Sequence, residues 1–390
     1  MKWPSERIST STPKSFGMYE KAIPLMQAGV DVIHLEVGRP SFDTPEHIKA
    51  ATKAALDAGL VHYGDFAGEA GLRGALSTRL KTHNDLDYSP DEIIVTNGLT
   101  HASFSVCLAA LDPGDEVILL EPYYPQHLNK IEFFGGKIVT APLDKEAGFR
   151  VRRDLIADKI TPATKMIALV NPANPTGRVF TRDELQIIAD LAIEHDLLVM
   201  SDEVYEQIVY APHKHISIAS LPGMRNRTFT MGAFTKAYAM DGWRVGYVAA
   251  DRSFIPAILK ATKNDVAHVN VFVQAGAQAA IEGPQDCIAE MVADDRRRRD
   301  LVVSRLNQMP GVICPEPEGA IYAFPDITGT GKSCQEIADE LLHAAHVVVE
   351  TGSFYGPAGE GHLRVCFGAE PYERIEEALT RMARYFSSLG

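Results

Sequence analysis

Through the middle of the chain, short and almost continuously apolar runs alternate with stretches whose apolar residues recur at helical spacing. EIIVTNG (92–98) is followed by the helical THASFSVCLAAL, then by DEVILLEP (115–122). KMIALVNP (165–172), the amphipathic RDELQIIADLAIEHD (182–196) and LLVMSDEVY (197–205) continue the alternation. Strands with no polar face, separated by helices, predict a mainly parallel sheet covered on both sides. From about residue 285 the pattern changes: a long charged helix, CIAEMVADDRRRRDLVVSRLNQM, precedes shorter elements and a final amphipathic helix, PYERIEEALTRMARYFSSL. That is the pattern of a smaller α+β unit, and the first forty-odd residues, punctuated by Pro and Gly, are expected to join it. The expected organisation is a large domain over 45–285, inserted between the two pieces, 1–44 and 286–390, of a small one. No internal repeat or low-complexity linker interrupts this pattern.

A length of 390 residues suits two such units. An apolar fraction of 46% and a charged fraction of 23% are ordinary for a globular protein. The formal net charge of −13 speaks against a sequence-independent nucleic-acid binder. Cys107, Cys287, Cys314, Cys334 and Cys366 are odd in number and form no CxxC pair, so neither a disulfide framework nor a zinc site is expected. The N-terminus has no apolar core of signal-peptide length, and no apolar run is long enough to span a bilayer. The chain reads as cytoplasmic, with no membrane partner.

The chemistry-bearing residues fall where the predicted strands end, which is where ligands sit in open α/β sheets. Asn97-Gly98-Leu99-Thr100 closes one strand and opens a helix, whose free N–H groups could hold a phosphate. NPANPTG (171–177) is a turn-rich strand exit able to present Asn174 rigidly. SDEVY (201–205) puts Asp202 at the end of an apolar strand, with Tyr205 three residues on. A carboxylate there caps a helix, meets solvent or, beside a pyridine ring, keeps the ring nitrogen protonated. In FTKAYAMDGWRVGY (234–247), Lys236 stands among apolar residues with Arg244 eight positions later. Burial and positive neighbours lower a lysine pKa toward the free amine, the form that attacks an aldehyde.

Three other patterns carry less. GTGKS (329–333) lacks the first glycine of a Walker motif, since Asp326 stands in its place, and reads as a surface turn. His343 and His346 have no third metal ligand near them in sequence and read as surface or packing residues; no metal site is expected. The run Arg296–Arg299, flanked by Asp294, Asp295 and Asp300, reads as a salt-bridged helix face.

From roughly Leu35 to Phe367 the chain resembles the class I/II aminotransferases of fold type I, in the bacterial aspartate/aromatic branch. VGRPSFDTPEHIKAA, HYGDFAGEAGLR, VTNGLTHA, LDPGDEVILLEPYY, NPANPTG, SDEVYE, TKAYAMDGWRVGY and HLRVCFG occur in the family's order. The resemblance implies a large domain with a mainly parallel seven-stranded sheet sandwiched by helices, and pyridoxal 5′-phosphate as cofactor. It implies that Lys236 holds the cofactor as a Schiff base and shuttles the substrate proton. Asp202 would pair with the pyridinium nitrogen, Asn174 and Tyr205 with the phenolate oxygen, and Tyr124 would stack on the ring. Gly98, Leu99, Thr100, Thr235 and Arg244 would bind the phosphate, with Tyr63 reaching it from the other subunit of a homodimer with shared sites. Arg364, with the backbone of Gly38 and with Asn174, would clamp the substrate α-carboxylate.

Two departures stand out. Where the family often has Ser-x-Ser-Lys, this chain reads Ala233-Phe234-Thr235-Lys236, and where it commonly has an acid or amide after the glycine matched by Gly38, it has Arg39. Arg39 reads either as a surface arginine or as a residue at the pocket mouth that favours substrates with a polar or acidic distal group. The implied reaction is a two-stage transamination from an L-amino acid to 2-oxoglutarate or pyruvate. A carbon–sulfur β-lyase on the same scaffold is the alternative. A non-catalytic effector domain would need an appended DNA-binding domain, for which the sequence shows no N-terminal extension.

Overall fold

The computed structural model describes residues 3–11 and 15–389. Among the described residues are twelve strands: β1 (Ile33–His34), β2 (Ile93–Thr96), β3 (Glu116–Glu121), β4 (Lys137–Pro142), β5 (Thr164–Val170), β6 (Leu198–Asp202), β7 (Thr228–Ala233), β8 (Gly246–Ala249), β9 (Tyr322–Ala323), β10 (Val347–Val348), β11 (Glu350–Thr351) and β12 (Leu363–Cys366). Seven form one sheet in the order β2-β8-β7-β6-β5-β3-β4. Only β8 runs antiparallel to its neighbours, so the other six end on the same edge. The parallel strands other than the edge strand β4 are almost wholly buried, as their apolar runs require. The apolar cores on the two sides of the sheet take in helices such as Arg182–Glu194 and Gly98–Ala110.

The remaining strands make two small sheets. β1 lies parallel to β10, and β12 lies between β11 and β9, antiparallel to both. One apolar core joins Met18, Ala22, Ile33 and Leu35 from the start of the chain to the long helix Asp286–Leu306 and the last helix, Tyr372–Ser387. The N-terminal segment also holds a helix, Met18–Gln27, which continues through Pro24.

The Arg296–Arg299 run is salt-bridged, though half of it is not a solvated face. Arg298 and Arg299 are buried; Arg298 pairs with Asp294 (2.5 Å) and donates to Ser41 Oγ (2.6 Å), while Arg299 pairs with Asp300 and Glu316. In the GTGKS stretch, Ser333 caps the helix Cys334–Glu340 reciprocally with Glu336. His343 is exposed, and His346 follows in the left-handed region (φ 53°).

Candidate active site

Six parallel strands deliver their C-terminal residues to one edge, and the sequence-predicted site residues collect there. Thr96 of β2 pairs with Gly246 of β8, so the turn Asn97–Gly98 lies beside Arg244–Val245. A Cβ on Gly246 would sit 3.0 Å from the Gly98 carbonyl carbon and 3.1 Å from the Leu99 nitrogen, so only glycine lets β8 enter this closely. Gly98 itself needs φ 75° and faces the Arg244 guanidinium. The outcome is a helix N-terminus with an arginine against it, an arrangement suited to a phosphate dianion. Thr100 is exposed at this turn, and Thr235 is half-buried just before Lys236.

Lys236 follows β7 by three residues. Its Nζ donates to the Gly38 carbonyl and lies 5.8 Å from the centre of the Tyr205 ring. Burial of the ammonium lowers its pKa to about 8, with the Arg364 charge adding to the effect against the opposing fields of Cys366, Asp241 and Asp202. An amine held so low is readily available as a nucleophile or base.

Asp202, 2% exposed at the end of β6, accepts from the Val204 amide (3.2 Å) and contacts His127 Nε2 (3.1 Å). Burial lowers the His127 pKa despite Asp202, so the imidazole is neutral at neutral pH and Nε2 carries the proton. Asp202 thus has a dipole rather than a cation as its imidazole neighbour. Tyr124 meets His127 edge-on at 5.3 Å, and burial raises its phenol pKa. The turn after β6 is braced from below. Ser201 and Ser217 donate to Glu203 (2.8 and 2.7 Å), His215 pairs with it (3.0 Å), and Arg79 pairs with Glu206 (2.8 Å).

Arg364, on β12, closes the far side. It donates to Asn174 Oδ1 (3.2 Å) and to the Glu36 carbonyl, and its guanidinium lies between Tyr322 (4.6 Å) and Tyr355 (5.0 Å). Tyr205 and Tyr322 share a hydroxyl hydrogen bond of 2.6 Å, and burial raises both phenols, Tyr322 to about 12. Gly38 has no room for a side chain, because a Cβ would fall on the Tyr322 hydroxyl.

The family profile described as "Aminotransferase class I and II" matches residues 30–382. An aspartate aminotransferase of Pyrococcus abyssi is 39% identical over 383 residues, covering 97% of each chain. The chain belongs to the class I and II aminotransferases. The aromatic-amino-acid aminotransferase 2 of Thermococcus litoralis is also 39% identical, again over 97% of both chains. The solved structure of the Thermus thermophilus aspartate aminotransferase with maleate superposes with a TM-score of 0.93 at 34% identity, over 98% of this chain and all of that one. This chain is therefore an enzyme, an aminotransferase of the aspartate/aromatic type acting on amino acids.

Two predicted residues of this aminotransferase stand apart from the cluster. Tyr63 is 93% exposed and meets His268 in an edge-to-face arrangement at 5.5 Å. Arg39 is exposed, and its backbone N–H turns back to the Val37 carbonyl (2.9 Å). Sequence reading missed His127, Tyr322, Tyr355 and Glu36. His127 was within reach, because it falls one turn after Tyr124 on the Pro-initiated helix Pro125–Phe133. No helix among the described residues is long and apolar enough to cross a membrane.

Proposed function

We propose that this aminotransferase uses pyridoxal 5′-phosphate to move the amino group of an L-amino acid to a 2-oxo acid, 2-oxoglutarate or pyruvate, in two stages. The observation that carries the proposal is the placement of Lys236 just after β7, its Nζ on the Gly38 carbonyl and over the Tyr205 ring, where burial also lowers its pKa to about 8. The residues present fit the cofactor. Gly98, Leu99, Thr100, Thr235 and Arg244 offer a dianion site, and the Asn97 side-chain amide beside them is buried without a partner among the described residues. Asp202 offers a buried carboxylate whose partner His127 is held neutral by burial. When bound, the cofactor supplies an electron-accepting ring that stabilises the substrate carbanion.

The chain's own residues do the rest. Lys236 holds the cofactor, then takes the proton from the substrate Cα and returns it at C4′; such positioned acid–base help is worth about 10²–10⁴-fold. Asp202, oriented by neutral His127, holds the proton on the ring nitrogen. Asn174 and Tyr205 donate to the phenolate oxygen, and Tyr124 covers the ring. Arg364 and the Gly38 N–H fix the α-carboxylate, while the Gly38 carbonyl serves only as the resting acceptor of Lys236 Nζ. Residues 45–285 form the cofactor-binding domain, and 1–44 with 286–390 the small one, in a cytoplasmic enzyme. Arg39, exposed one residue after Gly38, is the side chain assigned to favour substrates with a polar or acidic distal group, over a purely surface role. The test is to mix the yellow holoenzyme with a panel of amino acids and follow bleaching, then its reversal by each oxo acid. Bleaching that no 2-oxo acid reverses, with steady turnover in its absence, identifies a carbon–sulfur lyase instead.

The active unit is a homodimer in which Tyr63 reaches the partner's phosphate; an exposure of 93% for a tyrosine beside exposed Leu60, Val61 and Phe66 supports this. Hybrids of Tyr63→Phe and Lys236→Ala subunits carry one site free of both lesions. Their activity is expected to exceed that of either separate variant. If subunit exchange is verified and no rise occurs, sharing of sites is excluded.

A further inference from the structure

A second acidic group, unused in the reaction outlined above, flanks Arg364. Glu350 of β11 is paired directly across from Arg364 of β12, so the two side chains leave the sheet on one face. Glu36, whose carbonyl already accepts from Arg364, stands on the other strand segment that adjoins β12, where Leu35 accepts the Cys366 amide (2.7 Å). Both glutamates are 3% exposed. Glu36 Oε1 is paired with His34 Nδ1 (2.8 Å), while its Oε2 is buried without a partner among the described residues. Glu350 accepts from the backbone N–H groups of Thr351 (2.9 Å) and Met18 (3.0 Å), the latter at the start of the helix Met18–Gln27. Gly17, at φ 58°, is so close that a Cβ there would overlap the Glu350 carboxylate. The groups facing Glu350 are therefore Arg364 and, through Arg364, Tyr355 from the 352–355 turn, Glu36 with its partner His34 from the first strand, and the amides of the N-terminal helix.

This arrangement places the Glu350 carboxylate across from the buried guanidinium before any substrate arrives, while the Glu36 carboxylate is taken up by His34. An amino or oxo acid brings a second carboxylate to Arg364. We propose that Glu350 is a positioning residue that sets the affinity of Arg364 for the substrate α-carboxylate, competing with it when ionised and yielding when protonated. The inference rests on the reading of Arg364 as the carboxylate clamp.

The sign follows from the site. Burial raises the Glu350 pKa to about 7, with Glu36 adding to the rise and Arg364 opposing it. Below that pH Glu350 is neutral and leaves the Arg364 charge to the substrate. Above it the carboxylate competes, and KM climbs. A bound α-carboxylate pushes Glu350 further toward its neutral form, so substrate binding takes up a proton.

The experiment compares wild-type holoenzyme with Glu350→Gln, measuring KM and kcat for L-glutamate and L-tyrosine from pH 6 to 9. Both donors present the same α-carboxylate, and titrations of Lys236 or of the donor amine cancel in the ratio of wild-type to variant KM. That ratio is expected to be close to one at pH 6 and to rise as Glu350 ionises, by at most about tenfold per pH unit for a single proton. The rise falls on KM and not on kcat. A ratio that stays flat with pH overturns the proposal. Glu350→Leu, which removes the charge and needs no buried partner, should give the same profile if the glutamine variant folds poorly. Arg364→Lys separates the two readings: if it leaves KM for both donors unchanged, the clamp itself is misassigned; if it raises KM while the Glu350 ratio stays flat, only the present inference fails.

Discussion

Lys236→Ala is expected to abolish turnover while leaving the fold intact. The side chain contributes one hydrogen bond, to the Gly38 carbonyl, and its ammonium is held at a desolvation cost that appears as the fall in pKa to about 8. Removing it relieves that cost and leaves a backbone carbonyl that water can reach, because Lys236 itself is only part-buried. Catalysis fares differently. The amine is both the attachment point and the proton carrier, and the carrier role alone is worth about 10²–10⁴-fold. Stopped-flow single turnovers with saturating cofactor are the measurement. A variant within about tenfold of the wild-type rate, a loss of only about 1.4 kcal/mol in barrier, would show that another group does the work. Borohydride reduction of the wild type followed by peptide mapping is expected to place the pyridoxyl group on Lys236 alone.

How much of this was legible in the sequence differs from part to part, for physical reasons. The strands of the large sheet were, because burial on both faces forces near-continuous apolar runs such as 166–170 and 197–200. Their ends were legible too, since Asn-Pro pairs, Gly98 and Asp202 interrupt those runs where the chain leaves the core. The antiparallel setting of β8 between β2 and β7 was not, because a four-residue apolar run carries no sign of its direction. It matters, as it is this pairing that sets Arg244 against Gly98.

The far wall of the site was the least legible part. Arg364, Tyr322, Tyr355 and Glu36 come from segments separated by up to 328 residues in the Arg364–Glu36 contact. Nothing local marks Tyr322 as the hydroxyl partner of Tyr205, or as the reason Gly38 bears no side chain. Glu36 and Glu350 look in sequence like ordinary polar positions in strand-like surroundings. Only the register of β11 on β12 puts Glu350 opposite the arginine. The arginine run of the long helix teaches a related point: helical spacing paired it with the right acids, but could not tell that Arg298 and Arg299 are buried against Ser41 and Tyr210.

Asp202→Asn should bind pyridoxal phosphate more weakly and lose most of the chemical step, again without unfolding the chain. Two donors meet the native carboxylate, the Val204 amide at Oδ1 and His127 at Oδ2. An asparagine oxygen still accepts from Val204, and its amide can donate to His127 Nε2 if the imidazole proton moves to Nδ1. That atom is buried without a partner among the described residues, so the tautomer change breaks no existing bond. What is lost is the charge. Burial keeps His127 neutral, so its imidazole does not cancel the carboxylate, which is left to hold a protonated ring nitrogen. Removing one partner of a buried ion pair costs about 3–5 kcal/mol, which corresponds to about 10²–10⁴-fold in rate if the pair is strongest as the carbanion develops. The measurements are the cofactor dissociation constant and the single-turnover rate of Cα proton abstraction, compared with a Cα-deuterated donor to confirm that this step is observed. A near-normal rate in Asp202→Asn would remove Asp202 from the reaction and leave it a structural acid at the end of β6.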